Sequence, residues 1–345
     1  MGKAIYVIKR LALAFVTGFI ILSLAFVLIK CLPEQLPAGS NAARLAFYNR
    51  QVDLGYYVVK TVADDSMELA YQYMSGSQTY YYYVLPIMTQ YGNWLRNVFT
   101  EWNWGVSSSF YVNKDVFDII LERLPPTIKV NAVTIVIAIP IGVGLGILAA
   151  LKKNKPTDRA MSVAVMVFIS IPSFVFISLL IIIFGYVLHW FPPLWPTTYA
   201  PLSERAAGYV IPVFAAAVGS ICGYERLVRG ELSEALSSDY LLLARTKGLT
   251  KSQSVVRHAL RNAMVPVLPS ILAEVISIVS GSAILEQIYS IPGIGQLFIE
   301  SINRLDYNLM MADMAVFVLI GLLAGIVLDL SYGFLDPRIR MGERK

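Results

Sequence analysis

An acidic residue in the middle of an apolar run is the first feature of this sequence that could do chemistry. Glu274 lies ten residues past Met264, where the run begins, and Ser277 and Ser280 follow it. A charge at the bilayer centre costs roughly 2.5–3.5 kcal/mol, so such residues normally face a cavity or a partner. We predict that Glu274, Ser277 and Ser280 line a pathway in which the carboxylate binds a passing amide or amino group. Pairing of Glu274 with another helix or a partner subunit is an equally open alternative. Structural or interfacial roles are expected for charged residues nearer the ends of such runs, namely Arg226, Glu286 and Asp329.

Residues 239–266 form the second candidate site, a polar and basic segment between two apolar runs. One side of a predicted first helix carries Tyr240, Leu243, Ala244 and Lys247. Gly248 ends this helix, and a second helix, predicted over residues 252–262, carries Arg257, His258 and Arg261. A connection between two spans needs only a handful of residues. A helix–glycine–helix segment therefore indicates a surface that another protein holds.

The elements that must position these residues are membrane helices. Of the 345 residues 57% are hydrophobic and 15% are charged, and the mean hydropathy is +0.62, whereas soluble domains average about 45–50% apolar and about 25% charged. The basic residues behind the net charge of +5 cluster beside apolar runs, which argues against a nucleic-acid-binding protein. Neither a disulfide nor a metal cluster is expected from Cys31, Cys222, His189 and His258, the only cysteines and histidines.

Six stretches are long and apolar enough to cross a bilayer, which needs about 20 helical residues. The predicted spans are residues 11–29, 128–151, 161–188, 206–228, 264–288 and 312–334. Glycines at 142, 144 and 146 are expected to let helices approach closely. The first span is too long for a cleavable signal peptide, so we expect it to be retained.

Basic residues predict the orientation. They precede the first span, lie between the second and third and between the fourth and fifth, and follow the sixth. The positive-inside rule then places both termini in the cytoplasm of a plasma or inner membrane. Residues 31–126 become a long extracellular insertion, in which residues 42–53 and 64–74 are predicted helices. The tyrosines at 80–83 could stack on a substrate, lie at the lipid interface or dock an outer partner.

Sequence motifs of enzymes are missing. The chain has no G-x-x-x-x-G-K-[ST] phosphate loop, no nucleophile elbow and no H-E-x-x-H. We predict no catalytic residue, no metal site and no ATP hydrolysis by this chain.

Several motifs in order resemble the permease subunits of peptide-type ATP-binding-cassette (ABC) importers, the OppB/DppB-like branch. The resemblance rests on Trp104-Gly105-Val106-Ser107, Ser170-Ile171-Pro172-Ser173-Phe174, Ala244-Arg245-Thr246-Lys247-Gly248-Leu249, Arg257-His258-Ala259-Leu260-Arg261-Asn262-Ala263, Tyr289-Ser290-Ile291-Pro292-Gly293-Ile294-Gly295 and Asp336-Pro337-Arg338-Ile339-Arg340. It implies an all-α polytopic membrane protein with six transmembrane helices, the type I importer permease fold, and a long extracellular insertion after the first helix. The implied segments are an N-terminal helix 1–30, the insertion 31–126, a permease core 127–335 with a coupling loop 230–263, and a cytoplasmic tail 336–345.

The resemblance also implies roles for the coupling loop. It resembles the family's EAA motif, whose helices sit in a cleft of an ATPase subunit, although the usual glutamate is Leu242 here. Docking is therefore expected to rest on Ala244, Gly248 and apolar neighbours more than on an ion pair. The coupling residues implied by the resemblance are Asp239, Tyr240, Leu243, Ala244, Arg245, Lys247, Gly248, Leu249, His258 and Arg261.

The implied partners are the other parts of such an importer. They are a second, OppC/DppC-like permease, two OppD/OppF-like ATPases that bind ATP and magnesium, an extracellular OppA-like binding protein, a dipeptide or oligopeptide substrate and the lipid bilayer. A permease of the same family for nickel or another non-peptide solute is the alternative. A stand-alone secondary transporter is disfavoured, because its ion-coupling acids are sparse here.

Overall fold

The computed structural model describes residues 2–32 and 37–335. The predicted tail 336–345, with its Asp336–Arg340 motif, lies outside the described residues. Contacts divide the chain into two compact units. One contains Met1–Ala14, Pro126–Gly295 and Ile320–Lys345, and the other contains Phe15–Pro125 and Gln296–Leu319.

The described chain is mostly helical, as predicted. The helices in chain order are α1 (Gly2–Lys30), α2 (Asn41–Asp53), α3 (Ile87–Glu101), α4 (Val116–Leu151), α5 (Pro156–Ser170), α6 (Ser173–Leu180), α7 (Leu202–Ala207), α8 (Val210–Leu236), α9 (Asp239–Thr246), α10 (Lys251–Ser254), α11 (Leu260–Ile276), α12 (Ala283–Tyr289), α13 (Ile294–Asn303) and α14 (Tyr307–Leu335). Helix α6 continues as a π-helix over Ile181–Val187, a second π-helix Val255–Ala259 joins α10 to α11, and a 3₁₀ turn Ser277–Ser280 ends α11.

Five helical stretches of the described residues are long and apolar enough to cross a membrane, and a bent pair gives a sixth span. The bend is in the third predicted span, between α5 and α6, and measures 96°. Ile171 is extended there because the following residue, Pro172, disfavours the helical conformation of its predecessor. The predicted number of six spans is confirmed when this pair is taken as one.

The fifth span differs from its predicted bounds. It occupies Lys251–Ser280 rather than residues 264–288. The helix ends at Gly281, whose φ of 64° is left-handed and therefore suits glycine. Residues up to 288 belong instead to the separate helix α12, which is capped by the Ser282 hydroxyl.

The predicted extracellular insertion, residues 31–126, contains a sheet that the sequence did not predict. Strands β1 (Tyr57–Lys60), β2 (Leu69–Ser75) and β3 (Gln78–Val84) form an antiparallel sheet with the order β1-β3-β2. The predicted helix 42–53 is confirmed as α2, but the predicted helix 64–74 is wrong, because residues 69–75 pair with β3.

The tyrosines at 80–83 lie in the central strand. Tyr82 and Tyr83 are buried, and the Tyr82 hydroxyl donates to Asn49 of α2 at 2.6 Å. Tyr48 of the same helix stacks on Tyr71, with ring centroids 4.5 Å apart. These rings form the core of the insertion.

The buried carboxylate of Asp306 joins two segments of the chain by hydrogen bonds. Asp306 accepts hydrogen bonds from the backbone N–H groups of Ser108 and Ser109, at 3.1 and 3.0 Å, and from the Ser107 hydroxyl. These hydrogen bonds fix the residues that lead into α4 to those that lead into α14.

Two glycines of α4 lie against α8. A Cβ at Gly142 would meet Tyr224, and one at Gly146 would meet Val228. The prediction that this glycine run allows close helix packing is confirmed at both positions. Gly144, which has no such neighbour within 4 Å, takes no part in it.

Candidate functional site

The predicted coupling segment, residues 239–266, begins with helix α9. Lys247 is the C-cap of this helix. The next residue, Gly248, donates its N–H to the carbonyl of Arg245 at 3.0 Å. Gly248 has a φ of 93°, a conformation that an L side chain rarely adopts. The structure thus places a turn between two helical pieces at Gly248, as the sequence predicts.

One face of α9 is buried against its own subunit. Leu241 is only 1% exposed and packs with Leu232 of α8 and with Ala259 and Ala263 near α11. Ala244, three residues on, is also buried. The small side chain of Ala244 therefore allows α9 to approach its own chain closely.

The opposite face of α9 is exposed and partly apolar. Leu242 is 63% and Leu243 is 58% exposed, and Tyr240 is exposed beside them. The sequence placed Tyr240, Leu243 and Ala244 on one side, but the structure puts Ala244 on the buried face. We call Tyr240, Leu242 and Leu243 the apolar docking face. Leu242, which occupies the position of the missing glutamate, was not among the predicted coupling residues.

Charged residues surround this face. Asp239, Arg245 and Lys247 are exposed, and the Arg245 guanidinium donates to the Ser254 hydroxyl at 3.4 Å. Leu249 is half-buried and its N–H donates to the carbonyl of Ala244. The first half of the segment therefore offers apolar and charged groups together.

The second half of the segment is continuous with the fifth span. Thr250 and Gln253 form a capping box that starts α10, and the helix then runs without a break into α11. The predicted separate helix 252–262 is thus the end of a membrane helix. His258 and Arg261 are exposed on it, whereas Ala259 is buried.

Glu274, the predicted pathway acid, makes two hydrogen bonds to α8. Its carboxylate accepts from the Ser220 hydroxyl at 2.8 Å and from the Tyr224 hydroxyl. The Ser277 hydroxyl donates to the carbonyl of Ala273 in its own helix at 2.9 Å, and Ser280 ends the 3₁₀ turn. Glu274 therefore ties α11 to α8, and its role in a pathway stays a prediction.

Glu286, for which a structural or interfacial role was expected, belongs to a buried cluster whose other members were not predicted. It is 3% exposed and accepts from the Thr127 hydroxyl of α4 at 2.8 Å. The Thr127 oxygen in turn accepts from the Ile294 N–H at 3.1 Å. A Cβ at Gly293 would overlap both the Glu286 carboxylate and the Thr127 hydroxyl. The Ile-Pro-Gly-Ile-Gly motif that follows Glu286 was the signal that could have found this cluster.

Two ion pairs also join spans. Arg229 of α8 binds Asp158 of α5 through two nitrogens, at 2.6 and 3.1 Å. Asp158 is buried, and it also accepts from the Asn154 N–H at 2.8 Å. Near the ends of α1 and α14, Arg10 lies 3.0 Å from Asp329. The structural role expected for Asp329 thus has a named partner.

Comparisons with known proteins identify relatives along nearly the whole chain. The profile of a family described as "binding-protein-dependent transport system inner membrane component" matches residues 142–341. The dipeptide transport system permease protein DppB of Bacillus subtilis (strain 168) is 34% identical over 341 residues, which cover 98% of this chain and 99% of that protein. The oligopeptide transport system permease protein OppB of Escherichia coli (strain K12) is 30% identical over 321 residues, covering 92% and 99%.

A solved structure has a similar fold. A chain of the inward-facing methionine ABC transporter MetNI superposes with a TM-score of 0.51 and covers 64% of this chain and 97% of that chain. Because the two sequences are only 18% identical, this likeness shows the fold alone.

Proposed function

We infer the function of this chain from the family to which it belongs, the binding-protein-dependent transport system inner membrane components. The resemblance stated from the motifs is thereby confirmed, and with it the type I permease fold. The chain is a membrane permease subunit of an ABC transporter.

The substrate is a dipeptide or an oligopeptide, and this chain forms half of the translocation pathway. The observation that carries the proposal is that a dipeptide permease and an oligopeptide permease each align with more than nine-tenths of the chain.

The work of transport comes from separate subunits. Two OppD/OppF-like ATPases hold ATP and magnesium, and one of them receives the apolar docking face. The support for this is that Leu242 and Leu243 are exposed on a short helix whose other face is anchored by Leu241. Large exposed apolar groups on an otherwise charged segment are typical of an interaction surface.

The remaining partners follow from the same family. An OppC/DppC-like permease supplies the other half of the pathway, and an extracellular OppA-like protein delivers the peptide. Both termini lie in the cytoplasm, which puts the basic coupling segment on the side of the ATPases.

Alternating access is the proposed mechanism. The docking face moves with the ATPases, and the continuous helix from α10 to α11 carries that motion towards Glu274. A conformational switch requires contacts that differ between its two states. The hydrogen bonds of Glu274 to Ser220 and Tyr224 are candidates for contacts that change.

Reconstituted transport tests the proposal. The complete complex in proteoliposomes should accumulate labelled dipeptides or oligopeptides when ATP is supplied. Gly248→Pro should insert normally but abolish transport, because proline fixes φ near −65° where the chain needs 93°. Gly248→Asn is the matched control, since asparagine enters left-handed conformations more readily than other side chains.

Two results would contradict the proposal. Normal peptide uptake by Gly248→Pro would count against coupling through this segment. Accumulation of nickel without accumulation of any peptide would assign the chain to the alternative solute class.

A further inference from the structure

A cavity of about 580 Å³ lies at one end of α4, within the unit that holds most of the spans. Its walls include Lys129, Trp195, Arg205 and Tyr209. The volume falls within the roughly 300–1,000 Å³ of small-molecule sites. Neither the pathway prediction nor the coupling segment uses these residues.

The walls are held by packing and by a backbone hydrogen bond. The Trp195 N–H donates to the carbonyl of Tyr289 at 2.9 Å, and the Trp195 and Tyr209 rings meet edge to face at 4.9 Å. A Cβ at Gly208 would overlap Pro196, so this part of the wall needs glycine. The cavity is therefore formed by the fold of this subunit itself.

The residues that line the cavity include two cations and no carboxylate. Within residues 2–32 and 37–335, neither Lys129 nor Arg205 forms an ion pair. The remaining lining residues are neutral, and most are apolar or aromatic. The cavity thus combines a positive potential with apolar walls, which suits an anion that belongs to an amphipathic molecule.

The position of Lys129 puts the cavity at the surface of the bilayer. Residues 130–151 of α4 contain no charged side chain, and Lys152 follows them. As helix this stretch is about 33 Å long, close to the roughly 30 Å of a bilayer core. Lys129 and Lys152 therefore mark the two headgroup levels, and Trp195 and Tyr209 are residue types enriched there.

An exposed apolar stripe continues from the cavity along α4. Val133, Val136 and Ile137 follow Lys129 at helical spacings of four, seven and eight residues, so they lie on the same face. All three are exposed, Val136 by 73%. A molecule with its anionic head beside Lys129 would have an apolar surface for a long chain directly below.

We propose that this cavity binds the headgroup phosphate of an anionic phospholipid, with an acyl chain along Val133, Val136 and Ile137. The two cations would also attract a peptide carboxylate. The apolar stripe favours a lipid, because an acyl chain needs an extended apolar surface beside the anionic head and a peptide does not. The site is independent of the coupling segment, so the proposal extends beyond the transport function.

The test compares lipid retention by the purified transporter complex. Wild type and Lys129→Gln/Arg205→Gln are exchanged into mixed phosphatidylglycerol and phosphatidylcholine, delipidated in parallel and analysed for bound phospholipid by native mass spectrometry. A surface cation contributes roughly fivefold to binding of anionic lipid, so the double variant should bind phosphatidylglycerol about 25- to 30-fold more weakly. Lys129→Arg/Arg205→Lys should restore retention and exclude a folding defect.

A matched control removes two other exposed cations. Arg50→Gln/Arg96→Gln changes the net charge equally in the outer insertion and should retain phosphatidylglycerol as wild type does. Three results would overturn the proposal. They are equal retention of both lipids by wild type, retention of phosphatidylglycerol by the double variant at the wild-type level (with or without a transport defect for peptides with a free carboxyl terminus), or loss of the second permease from the double variant.

Discussion

Leu243→Ala is expected to weaken the binding of the ATPase subunits. Leu243 is 58% exposed on the apolar docking face, so about that fraction of its side chain is available to a partner. Complete burial of a leucine contributes about 1.5–3 kcal/mol. Burial of the exposed part therefore contributes about 0.9–1.7 kcal/mol, which corresponds to roughly 5- to 20-fold in the dissociation constant.

The assay is a titration of purified ATPases onto the permease pair in lipid nanodiscs. The double variant Leu242→Ala/Leu243→Ala should lose about 2–3.5 kcal/mol if the two contacts add. Leu151→Ala is the matched control, because Leu151 is an exposed leucine at the C-terminal end of α4, outside the docking face. It should bind the ATPases as wild type does.

A substitution at the buried neighbour Leu241 distinguishes a loss of ATPase binding from a loss of stability. Leu241→Ala removes a side chain that is 1% exposed and should destabilise the chain by about 2–5 kcal/mol, with little change in the affinity of the folded fraction. If Leu243→Ala bound the ATPases as tightly as wild type, the assignment of this face would be refuted. The same conclusion would follow if Leu151→Ala weakened binding equally.

Three further changes probe other sites. Thr127→Val should lower stability by about 1–3 kcal/mol, because Glu286 loses the hydrogen bond from Thr127 and the buried Ile294 N–H loses its acceptor. Thr127→Ser keeps the hydroxyl, and equal thermal unfolding of the two variants would contradict this role. Glu274→Gln is expected to change peptide uptake or peptide preference in proteoliposomes, and unchanged uptake and specificity would count against a pathway role. The pKa of Asp64 is lowered from an ordinary value near 3.8 to about 2, chiefly by a hydrogen bond from Lys60 and next by one from Ser66. The ionised carboxylate therefore stabilises the fold above about pH 4, and this contribution is lost as the pH falls towards 2. The difference in unfolding temperature between wild type and Asp64→Asn should shrink over that interval, and a constant difference would contradict the pairing.

The spans could be predicted from the sequence because membrane insertion depends on long apolar runs. The bounds were less predictable. Ala283, Ile284, Leu285 and Ile288 prolong the apolar run in sequence, but Gly281 turns the chain out of the helix before them. The 96° bend at Pro172 was missed because membrane helices tolerate proline, and only packing decides whether one bends.

The sheet of the insertion had a signal that a different reading could have used. Tyrosine and valine dominate residues 78–84, and Gly76 at φ 60° provides the turn between β2 and β3. Such an aromatic run after a turn residue is typical of a hairpin. The helical prediction for residues 64–74 failed because cross-strand pairing, which joins residues distant in sequence, determined their structure.

The faces of α9 could not be predicted from local spacing. Leu241 is buried because it packs with Leu232, Ala259 and Ala263, which come from other parts of the chain, and Ala244 is buried three residues further along the same helix. The partner of Glu286 could not be predicted for a similar reason, since Thr127 is 159 residues away.

The glycines of α4 have a consequence for inherited variation. Every replacement of glycine adds at least a Cβ atom, so any missense change at Gly142 or Gly146 forces α4 away from α8. The same codon change at Gly144 meets open space. Among natural variants of this gene, codons 142 and 146 should therefore retain glycine, while codon 144, two positions from each, should accept other residues.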